Sequence, residues 1–263
     1  MSRNWIKKTY SNFGKKLGHP IFNYKVDREA KKYSKPIQDL LHYYKNNLGE
    51  LEDLILSGKN MGLLLDFIEI TKDLEGDILE LGIYRGGTTI MFAKLLQEFK
   101  SEKKVFACDT FTGFPYDDLD PTEQNKIGNL RDTSFEHVNE KFKKFNVSDK
   151  ISIIKGKFED TLFQKLSDQK FSFVLFDADL YNSTKFALDF VFPRLVNGGI
   201  MVFQDYEREE KLEYSWGERQ AVDEFFSLHN LKLNNDKSLM YFQLKNNENV
   251  KKINQLNDEI AQM

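Results

Sequence analysis

The 263-residue sequence predicts an α/β protein: a mostly parallel, seven-stranded sheet with helices on both faces, preceded by an N-terminal helical extension. Two observations carry that expectation. From Gly76 onward, short apolar runs alternate with segments of helical spacing, the pattern of strands joined by right-handed crossovers. The first apolar run also leads through a glycine-rich turn straight into a helical segment, as in sheets that bind ligands beyond the carboxyl ends of their strands.

Taken in order, Ile37, Leu40, Leu41, Tyr44 and Leu48 fall on one helical face, and Leu63 to Leu74 gives a second helix after Gly62. Asp77–Leu81 reads as a buried strand, Thr88–Phe99 as a helix and Lys104–Cys108 as the second strand. Phe135, Val138, Phe142 and Phe145 share a helical face ahead of a strand at Ile151–Ile154. A strand at Phe171–Phe176, a helix from Asn182 to Phe192 and a strand at Ile200–Phe203 follow. A helix at Arg219–Leu228 and two final strands, Leu231–Leu233 and Leu239–Leu244, complete the order. The expected organisation is a helical extension over 1–60, a main domain over 61–245 and a tail over 246–263, in which Val250, Ile253, Leu256 and Ile260 form a weak apolar stripe.

Composition narrows the function. A net charge of -3 gives no electrostatic case for nucleic acid, and no apolar run is long enough for a membrane span or a signal peptide. Lys7, Lys8, Lys15 and Lys16 read as a solvated basic arm. A single cysteine, Cys108, excludes an internal disulfide and a cysteine-built zinc site, which suits a reducing cytoplasm; its place in an apolar strand reads as core packing.

Glu80-Leu81-Gly82-Ile83-Tyr84-Arg85-Gly86-Gly87-Thr88 leaves a strand and enters a helix, so its glycines permit a ligand to approach the backbone and the helix N-terminus favours an anion. A tight turn without a ligand would use the same residues. Tyr84 stands where the second glycine of a dinucleotide fingerprint would be, so a carboxylate fits better than a pyrophosphate. Asp109 closes the second strand, where its carboxylate would accept both ribose hydroxyls of an adenosine. Gly156 and Phe158 follow the third strand, and a flat apolar ring there would either cover adenine or pack in the core.

Asp177-Ala178-Asp179-Leu180-Tyr181 follows the fourth strand and Gln204-Asp205-Tyr206 the fifth. Neighbouring strand ends bring these acids together, and hard oxygen donors with open positions suit Mg²⁺, which would acidify a bound hydroxyl. Asp177 and Asp179 could equally cap the next helix.

These blocks, together with Asp109-Thr110-Phe111-Thr112-Gly113-Phe114-Pro115, Asn197-Gly198-Gly199 and Gly217-Glu218-Arg219-Gln220-Ala221-Val222-Asp223-Glu224-Phe225, resemble the macrocin O-methyltransferase (TylF-type) family from about Leu63 to Leu244. The resemblance implies a Rossmann-like class I methyltransferase fold and O-methylation of a hydroxyl on a small molecule such as a sugar unit. It places S-adenosylmethionine on Glu80, Gly82, Tyr84, Arg85, Gly86, Gly87, Asp109 and Thr110, with Gly156, Phe158 and Asp177 also in reach. Metal ligands would fall on Asp177, Gln204 and Asp205, and the catalytic groups on Asp177, Asp179 and Asp205. Gln204 departs from the family, which has an acid there, so Mg²⁺ would bind more weakly; the alternative is a methyl-donor-binding protein with impaired chemistry and a scaffold role. The family's tendency to form homo-oligomers assigns Trp5–Leu56 to assembly. None of His19, His42, His137 and His229 lies in a matching block, and His137 reads as a surface or core residue of its helix. Thr112–Thr133, with Asp117, Asp118 and Asp120, and Tyr206–Gly217, with Tyr214 and Trp216, have the length of lids over a substrate.

Overall fold

The computed structural model describes residues 26–51, 58–114, 120, 123, 130–206, 216–236 and 239–245. The basic arm at Lys7 to Lys16, the loop residues Asp117, Asp118 and Tyr214, and the tail stripe at Val250 to Ile260 lie outside the described residues, as does part of the proposed assembly segment.

Two helices, α1 (Lys35–Leu51) and α2 (Gly58–Ile70), precede the sheet. The main domain then runs β1 (Asp77–Leu81), α3 (Gly87–Glu98), β2 (Val105–Asp109), α4 (Phe135–Lys144), β3 (Ile151–Lys155), α5 (Phe158–Leu166), β4 (Phe171–Phe176), α6 (Tyr181–Val191) and β5 (Leu195–Phe203). It closes with α7 (Trp216–Leu228), β6 (Asn234–Asn235) and β7 (Met240–Gln243). The strand order is β3-β2-β1-β4-β5-β7-β6, parallel from β3 to β5, with β7 antiparallel to β5 and β6 antiparallel to β7. Order reverses between β1, which leads to β2, and β4, the switch point outside whose strand ends sheets of this kind bind ligands.

The central strands are apolar on both faces because helices cover both. Ile78, Val105, Ala107, Phe173, Leu175, Ile200 and Val202 face α1 to α4, and Leu79, Leu81, Cys108, Val174, Phe176, Met201 and Phe203 face α5 to α7. All five residues of the expected α1 stripe are buried, and they share one core with α3. Buried Cys108 packs in the second core.

β1 and β4 match the expected strands to the residue. Other bounds differ by one to a few residues, as in α2, which runs Gly58–Ile70 rather than Leu63 to Leu74, and α7, which starts at Trp216 rather than Arg219. α5 has no counterpart in the expected order, although Phe158, Thr161, Leu162 and Leu166 bury one helical face and Glu159 and Asp160 occupy its first turn, where the helix dipole favours acids. The strand expected at Leu231–Leu233 lies three residues later, because Asn234 and Asn235 carry the backbone pairing to Tyr241 and Met240 while Leu231 and Leu233 pack on the core. β5 begins at Leu195 rather than Ile200, with the strand register shifting across its Asn197-Gly198-Gly199 stretch.

Leu41→Ala should lower unfolding free energy by about 2–5 kcal/mol in a single denaturant transition, the cost of a cavity in a shared core. A separate early transition for α1 would show instead that the helical extension folds independently.

Candidate active site

The glycine loop begins where β1 ends. Gly82 donates its N–H to the Cys108 carbonyl at 2.9 Å, and a Cβ on Gly82 would fall on the Asp177 carbonyl, so a side chain is sterically barred there as well as by its φ of 89°. Tyr84 (φ 48°) and Gly86 (φ 73°) are left-handed, and Gly86 is the N-cap of α3, with no side chain capping the helix. A Cβ on Gly86 would lie 2.6 Å from the Phe142 ring and 3.1 Å from Val138. The turn therefore needs glycine and presents an α3 N-terminus suited to a carboxylate. Behind it, buried Glu80 accepts a 2.6 Å hydrogen bond from the Thr89 hydroxyl, fastening α3 to β1.

Asp109 sits at the end of β2 as expected, but its carboxylate binds the protein's own backbone. One oxygen accepts the N–H groups of Ile83 (3.0 Å) and Tyr84 (2.8 Å), and the other that of Phe111 (2.7 Å). Burial pushes its pKa up, and the amides of Phe111, Tyr84 and Ile83 draw it back. The Thr110 hydroxyl closes the next turn by donating to the Gly113 carbonyl at 3.2 Å. Tyr84 and Arg85 turn to Asp132: the Tyr84 hydroxyl donates to one carboxylate oxygen at 2.6 Å and Arg85 Nη2 to the other at 2.8 Å, while Thr133 donates to the Tyr84 carbonyl. Gly156 (φ 141°) donates to the Asp109 carbonyl at 3.0 Å. Phe158 is the first residue of α5 and is buried in the second core, 7% exposed.

The acids after β4 and β5 do come together. Asp177 continues the β1 ladder by donating to the Leu81 carbonyl, and Gln204 continues the β4 ladder by donating to the Phe176 carbonyl, both at 2.9 Å. Asp205 is fully buried, and its N–H donates to Glu218 of α7 at 2.9 Å. Glu218 is fully buried too, and its pKa is raised well above the ordinary range by burial first and then by the charges of Asp205, Asp177 and Asp179. Sequence reasoning passed over Glu218, which lies in a resembling block but gives no signal of burial. Asp179 is left-handed (φ 59°) and does not cap α6, whose N-cap is Leu180. Glu123, 3% exposed, takes that place: its two oxygens each accept the Tyr181 N–H at 3.2 Å. A Cβ on Gly217 would strike Glu123, so α6, α7 and this part of the expected lid meet at one point.

At the rim, the Tyr181 hydroxyl donates to Glu224 and the Tyr206 hydroxyl to Asp223, with Arg219 stacked 5.2 Å from the Tyr206 ring. Burial and the Asp223 hydrogen bond push the Tyr206 pKa up to about 12. As a donor set for a cation, Asp177 and Asp205 supply carboxylates and Gln204 a buried Oε1 with no hydrogen-bond partner among the described residues. No three His, Cys, Asp or Glu side chains among the described residues form a group that could hold a metal ion.

A family model described as Macrocin-O-methyltransferase (TylF) matches residues 59–239. Over 139 residues the chain is 29% identical to 8-demethyl-8-(2,3-dimethoxy-alpha-L-rhamnosyl)-tetracenomycin-C 4'-O-methyltransferase of Streptomyces olivaceus, covering 50% of this chain and 53% of that protein. It is 28% identical over 141 residues to mycinamicin III 3''-O-methyltransferase of Micromonospora griseorubida, covering 50% and 55%. The chain thus spans about half the length of the curated relatives it matches. Among solved structures, the O-methyltransferase NovP superposes with a TM-score of 0.62 at 24% identity, covering 72% of this chain and 79% of that one. The calicheamicin methyltransferase CalS11 superposes at 0.63 with 18% identity, covering 86% and 92%, and both establish the fold as that of class I methyltransferases.

Glu218 holds a proton in the folded protein at pH values where the unfolded chain has lost it, so stability falls as pH rises from the ordinary glutamate range through the raised native value. With chelator present, Glu218→Gln should be more stable than the parent by about 1–3 kcal/mol at about pH 8, and the gain should shrink toward about pH 5. Urea unfolding across that range checks it; a constant difference would mean that Glu218 titrates normally.

Proposed function

The chain belongs to the TylF macrocin-O-methyltransferase family, and on that premise we propose that it transfers the methyl group of S-adenosylmethionine to a hydroxyl of a small molecule, a sugar unit of a glycoside or natural product. The observation that carries this reading is the span of the family match: residues 59–239 enclose both the glycine loop and the acid cluster. The α3 N-terminus, capped only by Gly86, would hold the methyl donor's carboxylate, and Asp109 and Gly156 would line its adenosine.

The sulfonium is already activated, so the protein's task is alignment. The acceptor oxygen attacks the methyl carbon in line, the carbon–sulfur bond breaks, and S-adenosylhomocysteine leaves with the bonding pair. Asp179 takes the acceptor proton and Asp177 orients the hydroxyl, while the fully buried Asp205 acts behind them through its charge. Mg²⁺ held by Asp177, Gln204 and Asp205 would add Lewis acidity at that oxygen. Tyr206 and Tyr181 on the rim offer an aromatic face and a hydroxyl to a sugar ring. The reaction is assigned to the cytoplasm on the strength of the lone buried cysteine, and among the described residues no helix is long and apolar enough to cross a membrane. Gln204 also favours a second reading, a methyl-donor-binding protein with impaired chemistry.

Calorimetry with S-adenosylhomocysteine should give binding in the micromolar range, and transfer of labelled methyl to a panel of glycosides should give product. Binding without transfer to any acceptor favours the second reading, and no binding overturns both. Asp179→Asn should lower kcat by about 10²–10⁴-fold while leaving S-adenosylhomocysteine affinity unchanged. Gln204→Asp should tighten Mg²⁺ or Mn²⁺ binding about tenfold by calorimetry through the added negative charge; an unchanged affinity would remove Gln204 from the ligand set.

A further inference from the structure

Lys141 is a buried cation that the proposed chemistry does not use. It lies on the inner face of α4 between Val138 and Phe142, only 6% exposed. Its ammonium donates to the Arg85 carbonyl at 3.0 Å and to the carbonyl of Leu51, the last residue of α1, at 2.6 Å. Burying an ammonium is costly, and an apolar side chain would fill the same space more cheaply, so its fixed partners point to a role.

The role follows from the peptide unit that Lys141 holds. The N–H of the Arg85–Gly86 peptide donates to the Ile83 carbonyl at 2.7 Å, and its C=O accepts from Lys141, so the unit is held at both ends. The next rotation along the chain is the left-handed φ of Gly86, after which α3 begins. The plane of this one peptide therefore sets the direction of the first α3 amides. The neighbours of Lys141 complete the hold: Phe142 and Val138 bear on Gly86 itself, leaving no room for a Cβ.

We propose that Lys141 is a positioning residue for the amino-acid end of the methyl donor: by fixing the Arg85 carbonyl it aims the α3 N-terminus at the donor's carboxylate, and through the Leu51 carbonyl it ties α1 to the cofactor loop. The inference rests on the donor site described under Proposed function. It predicts a defect confined to ligands that carry the carboxylate, because the adenosine end would meet the ends of β2 and β3 rather than the α3 N-terminus.

The test uses the full chain and two probes: S-adenosylhomocysteine, and 5'-methylthioadenosine, which keeps the adenosine and lacks the amino-acid portion. By calorimetry, Lys141→Met should weaken S-adenosylhomocysteine binding about tenfold or more while methylthioadenosine affinity stays within about twofold. Lys141→Arg, which retains a cation, should fall between Lys141→Met and the parent. Parallel loss for both probes would assign Lys141 to general stability, and an unchanged S-adenosylhomocysteine affinity would remove it from the site; either result overturns the proposal. If Lys141→Met does not fold, the same ratio read from Lys141→Gln, which keeps a donor without the charge, decides in the same way. Failure of the parent protein to bind S-adenosylhomocysteine would instead overturn the donor site.

Discussion

The Asp109 carboxylate is the interaction on which the site depends. It stands at the end of one strand and holds two successive amides of the loop leaving the next, plus one amide of its own turn. Left-handed conformations at non-glycine residues cost about 1–3 kcal/mol each and persist only where surroundings impose them. Tyr84 and Phe111 are both left-handed, and the N–H of each donates to Asp109. Three amide bonds converge on that carboxylate, so one side chain holds two strained turns together. Gly82 can then lie against the Asp177 carbonyl, and the loop after β1 meets the loop after β4 across the topological switch.

Much of this was legible in the sequence for a physical reason: short apolar runs bounded by polar residues have one stable use in such a sheet. β1 and β4 were read to the residue because Gly76 and Gly82 flank the first and Asp177 ends the second. The acids at 177, 179 and 205 were legible because strand ends in a parallel sheet share one edge. What escaped depends on tertiary placement. Glu218 and Lys141 sit in helices whose sequences look amphipathic with charged exteriors, and only packing shows that these two charges point inward. Glu123 escaped because nothing local links it to a helix start 58 residues later. Asp109 was found, but a strand-end acid that bonds backbone amides and one that bonds a ribose look alike in sequence.

The acid cluster shows a trade between ligand affinity and folding. Asp177, Asp179, Asp205 and Glu218 lie near enough to perturb one another, and Asp205 and Glu218 are wholly shielded from water. A further carboxylate at 204 would strengthen the hold on a cation and add to the repulsion in its absence. The Gln204 amide lowers both. It would leave the cluster easier to fold without an ion, and any cation bound there would reach half-occupancy at a higher concentration.

The far edge of the sheet carries a different consequence. β6 is two residues long, and its asparagines are exposed. A strand this short and polar offers almost no unpaired backbone for another chain to extend. Growth of the sheet by strand addition is disfavoured at these two residues.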